Sequence, residues 1–460
     1  MKKTSLLALT VLCSFFAAVN SATAQGLTFT TNTYPVGNGP NIAVADVNGD
    51  GRLDLITANY STNTLTILTN NGVGGFGFYA TLTVGQHPGS VIAVDVNRDG
   101  YVDLVSCNHL DNSLTILTNN GSGVFGYNTT LPVGYFPQYV TAVDINDDNS
   151  PDIISANWTS PGTLTVYTNI GNGVFRTNTT FTVGNDPQIV TTADINDDGY
   201  VDLITANYSG NTLTILTNSG AGVFGSNATL TVGINPQWVI AADLFGRGKP
   251  DLVCANVGTN NITIFTNNGK GIFGFNTNIT VIGKPFCVVV ADFNGDGKLD
   301  LVTANAGGYP TGVGNTLTVL TNNGTGFGYN TTLTVGTAPY WIAAADVNSD
   351  GKPDLIASNY KDNTVTVLMN TSVFPPPNNF PTLVIKHQGN FIKITWPSAS
   401  PGWSLQENSI LTRMNWLPCG FDGYPTADDG ATYPISDDGT NKSLTLPSSV
   451  GNLFFRLLHP

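Results

Sequence analysis

The sequence predicts an all-β protein, a seven-bladed β-propeller of four-stranded blades followed by a small β-sandwich, and three observations carry that prediction. First, of 31 acidic residues 30 are Asp and Glu407 is the one Glu, Lys and Arg total 17, and 51 Gly stand among abundant Asn and Thr. Such residues disfavour helices and suit strands and turns. Second, one Asp-rich segment recurs seven times, starting at Asp46, Asp95, Asp144, Asp194, Asp243, Asp292 and Asp346, at intervals of 49, 49, 50, 49, 49 and 54 residues. A period of this size marks stacked supersecondary units or propeller blades. Third, each period holds four short apolar runs bounded by Gly, Asn or Asp, which is the anatomy of a blade.

The elements follow in chain order. Lys2 and Lys3 precede the apolar run Leu6 to Val19, and Ala22-Thr23-Ala24 precedes Gln25. This reads as a signal peptide over residues 1–24, cleaved near Ala24, and predicts a secreted mature chain. A lipid anchor at Cys13 is disfavoured, because Leu12 stands where such processing wants a small residue and the apolar run continues past the Cys. No second apolar stretch approaches the ~20 residues of a membrane helix, so no transmembrane segment is expected.

The propeller is assigned to residues 25–373. In the second repeat its strands are predicted at Val91 to Val96, Leu104 to Cys107, Leu114 to Thr118 and Thr129 to Val133. The seventh repeat supplies three strands, ending with Val365 to Met369, and then runs into Phe374-Pro375-Pro376-Pro377. The missing fourth is predicted at the other end of the chain, where Leu27 to Val36 reads like the NTTLTV strand ending at Val335. Its return would complete the last blade and remove an open sheet edge. The long sixth interval contains a Gly-rich insertion, Ala306 to Gly314. After a Pro-rich linker, 374–381, residues 382–460 alternate in segments such as LVIKHQ, FIKITW and LFFRLL, which predicts the β-sandwich. Trp396, Trp403 and Trp416 are read there as packing residues.

The recurring segment carries the chemistry. Six copies read D-x-N-x-D-G-x-x-D, with Asn149 replacing the Gly in the third. Oxygen side chains fall at positions one, three, five and nine, the carbonyl at position seven can join them, and position six suits a positive backbone angle. The predicted ligands are Asp46, Asn48, Asp50, Arg52 (carbonyl) and Asp54 in the first loop, then Asp95, Asn97, Asp99, Tyr101 and Asp103 in the second. The third has Asp144, Asn146, Asp148, Ser150 and Asp152, and the fourth Asp194, Asn196, Asp198, Tyr200 and Asp202. The sixth has Asp292, Asn294, Asp296, Lys298 and Asp300, and the seventh Asp346, Asn348, Asp350, Lys352 and Asp354.

An all-oxygen set of this size suits calcium better than magnesium, which demands a tight octahedron and keeps its water. The loop is no EF-hand, since strands flank it and an Asp at nine replaces the Glu at twelve. In the fifth repeat Phe245 and Arg247 replace the Asn and the middle Asp, while Asp243 and Asp251 remain. Arg247 or Lys249 is therefore expected to take the cation's place, leaving six calcium sites and one metal-free loop. The seven loops hold 20 of the 31 acids at their motif positions, and six calcium ions would bring the formal charge from −14 to −2. Asp-rich turns without metal are the alternative.

With these loops, the Leu-Thr-Ile-Leu-Thr-Asn-Asn-Gly runs that follow them and Phe-Gly pairs such as Phe125-Gly126, the chain resembles FG-GAP and VCBS repeats, similar also to integrin α-subunit propellers. The resemblance spans about Leu27 to Ser372 and implies a calcium-binding propeller on exported proteins, often in adhesion or recognition and sometimes attached to enzymes. Phe245 and Arg247 depart from the pattern. The tail, with Trp396-Pro397, Leu405-Gln406, Trp416 and Phe454-Phe455-Arg456, resembles C-terminal modules of large secreted bacterial proteins, which implies no activity.

In an up-and-down blade the face opposite the Asp loops carries the second-to-third loops and the links between blades. Rings gather there in the sequence: Tyr60, His109, Trp158, Tyr208 and Tyr360 follow the Asn that ends strand two, and Tyr135, Phe136, Trp238, Tyr340 and Trp341 lie in or just after the Val-Gly-x-x-Pro links. An aromatic, calcium-free face predicts a site for a sugar or a protein loop, the alternative being rings that cap the blade cores.

The negative balance and the absence of a basic cluster argue against nucleic acid as a partner. Catalytic groups are scarce. The four His are His87, His109, His387 and His459, no G-x-S-x-G or H-E-x-x-H pattern occurs, and most Asp are claimed by the loops. His109 with Asp111, and His87 beside them, are the nearest approach to an acid–base group. Cys107, Cys254, Cys287 and Cys419 lack zinc-like spacing and are expected as buried thiols, although export permits a disulfide. The expectation is a monomeric recognition or adhesion module for an extracellular protein or glycan. A lectin and a polysaccharide lyase are the rivals.

Overall fold

The computed structural model describes residues 26–307 and 313–374 and, beyond them, the strands of the C-terminal unit; at Thr177, at Asn178 and in those strands the backbone alone is described. The signal-peptide reading, the linker from Pro375, Trp403, Trp416 and Cys419 fall outside the described residues. The chain divides into two compact units between Phe374 and Pro375.

The first unit is a seven-bladed β-propeller. Blade 1 consists of Pro40–Ala45, Asp54–Asn59, Thr64–Asn70 and Phe76–Thr83, antiparallel in that order. Pro40 pairs with Asn59 and Ala45 with Asp54, so the acidic loop sits at one end of the strands and the link between blades at the other. Five further four-stranded sheets repeat this order. Blade 7 takes Pro339–Ala345, Asp354–Asn359 and Thr364–Asn370 from the seventh repeat and its outer strand, Phe29–Pro35, from the N-terminus. Phe29 pairs with Asn370 and Pro35 with Thr364, and the innermost strands touch their neighbours around the whole circuit, including Pro40–Ala45 against Pro339–Ala345. The ring is closed as the sequence predicts.

Burial follows strand position. The second strands, such as DLITAN at Asp54–Asn59, are buried throughout, while the outermost strands alternate. Both faces of an inner strand are covered because blades stack face to face. One core joins Val47, Ile56, Leu65 and Ile67 of blade 1 to Val91, Leu104 and Leu117 of blade 2. Outer strands begin earlier than periodicity predicts: in blade 2 the fourth strand is Phe125–Pro132. A register shift between Ile116 and Leu117 breaks the two-residue alternation there, which hid its first half in the sequence. Trp238 from the first strand of blade 5 meets Tyr139 from that of blade 3 edge-on at 5.6 Å, a contact between blades that are not neighbours in the ring. Among the described residues no helix occurs, and none is long and apolar enough to cross a membrane.

In the second unit Val384–Gln388, Phe391–Pro397, Asn441–Pro447 and Ser436–Asp437 form one sheet, and Leu417–Pro418, Ser404–Asn408 and Phe454–Leu458 another. How their faces pack, on which the sandwich reading depends, lies outside the described residues.

Candidate functional site

Each acidic loop is shaped by the carboxylate at its first position. In blade 1 Asp46 Oδ1 accepts from the backbone N–H groups of Gly49 (2.8 Å) and Asp50 (3.2 Å), and Oδ2 from that of Gly51 (2.7 Å). Asn48 Oδ1 takes the Asp50 N–H at 3.0 Å, and Asp50 Oδ1 takes that of Arg52 at 3.0 Å. Local bonds of this kind favour a tight turn over a ladder. Position six is left-handed in every loop, from φ +63° at Asn149 to +90° at Gly100. Position four is left-handed too, at residues as varied as Gly49, Arg98, Asp147 and Ser349, which the motif does not announce.

The position-nine carboxylates Asp54, Asp103, Asp152, Asp202, Asp300 and Asp354 are fully buried at the base of the loops. In blade 2 Asp103 Oδ2 accepts from Val96 N–H at 3.0 Å and Oδ1 from Asn119 N–H at 2.7 Å. Burial pushes these carboxyls up, to about 6 in five and about 7 at Asp300; the backbone bonds oppose the rise and the acids at positions five and one add to it. Among the described residues no three acids or imidazoles already converge as a metal cluster. The donors are nonetheless all oxygen, as a calcium loop requires.

The fifth loop tests the fit. There Arg247 Nη2 donates to Asp251 Oδ1, the equivalent buried carboxylate, while the N–H groups of Arg247 and Gly248 bind Asp243. Lys249 turns away to the Asn268 carbonyl at 2.8 Å. A fixed cation thus meets the base carboxylate where the motif is broken, and of the two candidates it is Arg247.

A feature missed in the sequence ties the loops together. Asn119 ends the third strand of blade 2, and its Nδ2 donates to the Val47 carbonyl of blade 1 at 2.8 Å and to the Val102 carbonyl at 3.0 Å. Its Oδ1 accepts from Gly121 N–H at 3.1 Å. Asn70, Asn169, Asn218, Asn267, Asn322 and Asn370 make the same bond to the preceding blade, at 2.7–2.9 Å. The acceptor is always the carbonyl at position two of an acidic loop, so seven such clasps complete the circle. The Asn that ends strand three, preceded by Thr in six blades and by Met369 in the seventh, was the available signal.

At the opposite end lies a cavity of about 410 Å³, walled by first-strand starts and second-strand ends. Seven of the ten rings singled out in the sequence line it: Tyr60, Trp158, Tyr208, Trp238, Tyr340, Trp341 and Tyr360. Three do not. His109 is buried and packs against Tyr60 (6.0 Å), Phe136 (5.2 Å) and Trp158 (6.2 Å) as an inner support. Tyr135 and Phe136 are exposed outside the cavity, Phe136 with a left-handed φ of +54° that is rare for a bulky residue.

Seven lining residues were missed: Gly39, Pro88 and Gly89, and four with larger side chains, Gln138, Gln188, Gln237 and Phe286. Each of these four directly follows a link Pro, a register visible in the repeats but passed over in a search for rings. Phe286 stacks on Tyr340 at 4.4 Å, and Tyr340 on Tyr360 at 4.7 Å. Asp111 accepts from Gln86 N–H at 2.7 Å, and His87 Nδ1 and His109 Nδ1 have no protein partner, so no imidazole–carboxylate pair forms through them. Burial lowers the His109 pKa. Cys107, Cys254 and Cys287 are buried free thiols, with Cys287 pushed up to about 12 by burial.

The comparisons with known proteins agree with this architecture. The FG-GAP-like repeat matches residues 46–106, 95–155, 144–205, 194–254 and 243–303, and the FG-GAP repeat matches 288–329 and 338–368. No curated protein matches. Among solved structures, BBS1N in complex with ARL6DN is similar at a TM-score of 0.56 and 11% identity, over 77% of this chain and 99% of its own. A protein from Lactobacillus plantarum is similar at 0.51 and 12%, over 94% and 100%. A functionally unknown protein from Desulfotomaculum acetoxidans is similar at 0.50 and 13%, over 66% and 88%. At these identities the likeness concerns the fold.

Proposed function

Because this chain belongs to the FG-GAP repeat family, we propose that it is a secreted, calcium-stabilised recognition module that engages an extracellular ligand and catalyses no reaction. The observation that carries the reading is the division between its two ends: carboxylate loops at one, and at the other a cavity whose lining has no Asp, Glu, Lys or Arg. Calcium would be held by the side chains at positions one, three, five and nine with the position-seven carbonyl, and would supply the charge that offsets three crowded carboxylates. Asp46, Asn48, Asp50 and Asp54 are that set in blade 1. The chain's own contribution is to fix each loop with backbone bonds and pass its position to the next blade through the asparagine clasp. A neighbour of the same fold crystallised with a protein, ARL6DN, which is in keeping with a recognition scaffold.

The test is elemental analysis after dialysis against millimolar calcium, with melting curves in calcium and in EDTA. About six calcium per chain and a lower melt in EDTA are expected. Metal-free protein with identical melts would remove the calcium half of the reading. Screening the calcium-loaded chain against glycans and extracellular proteins tests the recognition half.

A further inference from the structure

We propose that the cavity opposite the acidic loops binds a neutral saccharide, an inference that rests on the recognition reading and names its ligand class. Charge decides the first step. With no Lys or Arg in the lining, a phosphate or carboxylate ligand would shed its hydration without a compensating ion.

Polarity decides the second. Gln138, Gln188 and Gln237 bring three carboxamides to the wall from three successive blades. Gln237 Oε1 and Trp341 Nε1 are shielded from solvent and have no partner within the protein. An enclosed acceptor and an enclosed donor without partners make a wholly apolar guest a poor match, since each costs about 1–3 kcal/mol when left unmade. Both belong to residues that line the cavity, so a guest hydroxyl that reaches them can donate to the one and accept from the other.

Shape and surface decide the third. Flat rings, among them Trp158 and Trp341, form most of the remaining wall, and such faces take the C–H face of a sugar ring while the carboxamides address its hydroxyls. Trp238, held edge-on against Tyr139 at 5.6 Å, adds one more ring to the cavity. Its volume of about 410 Å³ holds a small guest, near the lower end of the ~300–1,000 Å³ of small-molecule sites.

The experiment uses the full chain in calcium buffer and follows tryptophan fluorescence and titration calorimetry. The probes are neutral trisaccharides (cello-, chito-, malto-, xylo- and manno-), polygalacturonate as the anionic control, and a displayed peptide library. At least one neutral trisaccharide is expected to bind with a Kd between about 10 μM and 1 mM, and polygalacturonate is not. Trp341→Phe, which keeps the ring and drops the N–H, and Gln237→Leu should each weaken binding about tenfold with unchanged melting curves. Absence of binding by every neutral probe at ~10 mM, or binding that survives both substitutions, overturns the saccharide assignment. A peptide or protein that binds instead, and is lost in the same variants, overturns this inference while the recognition reading stands. A cavity that engages none of them removes both.

Discussion

At the residue scale, one side-chain type is used twice in each blade with different results. The Asn that ends strand two is buried and in blade 2 ties two hydroxyls together, Asn108 Nδ2 donating to Ser113 and Thr115 at 3.1 and 2.9 Å. The Asn that ends strand three bridges blades. Replacing Asn119 by Ala removes three side-chain bonds and orphans the Val47 and Val102 carbonyls, so unfolding should cost about 2–4 kcal/mol less, read as a shifted urea midpoint. The base carboxylates set a pH dependence. Their folded pKa of about 6 lies above the ordinary carboxyl value of 3.8, so without metal the native state holds the extra protons between those values. Chelated protein should therefore gain stability as pH falls from about 7 toward 4, and a melt that drops over this range in EDTA would contradict the buried placement of these acids.

At the element scale, the acidic loop was legible in the sequence as a donor pattern but not as a mechanical part. Spacing gave positions one, three, five and nine because side-chain chemistry repeats with the blade. It did not show that position nine turns inward to hold Val96 and Asn119, or that position four is left-handed, since Arg98, Asp147 and Ser349 share no chemistry that announces it. The fifth loop offers the cleanest test. Restoring the motif with Phe245→Asn and Arg247→Asp should raise bound calcium by about one ion per chain, measured by elemental analysis, and should make the charge lost at Arg247 tolerable when calcium is present.

At the scale of the whole molecule, closure depends on a strand from the far end of the sequence. Phe29–Pro35 supplies the outer edge of blade 7 and Thr28 adds a backbone bond to Thr371 at 2.8 Å. Deleting residues through Pro35 should expose Thr364–Asn370 as an open edge, lower the melting temperature and produce association visible by light scattering. A monomer of unchanged stability would mean the strand is dispensable.

The sequence by itself determined the blade count, the closing strand and the positions of the acidic loops, because each is read from a local pattern that the repeat copies around the ring. It also placed most of the cavity's rings, since all sit at fixed offsets from a strand end. Only the tertiary structure decided which of those rings share one space, why His109 supports them from behind, and that three glutamines complete the wall. These depend on seven blades converging on one axis, where residues about 50 positions apart become neighbours, and no local pattern records that distance.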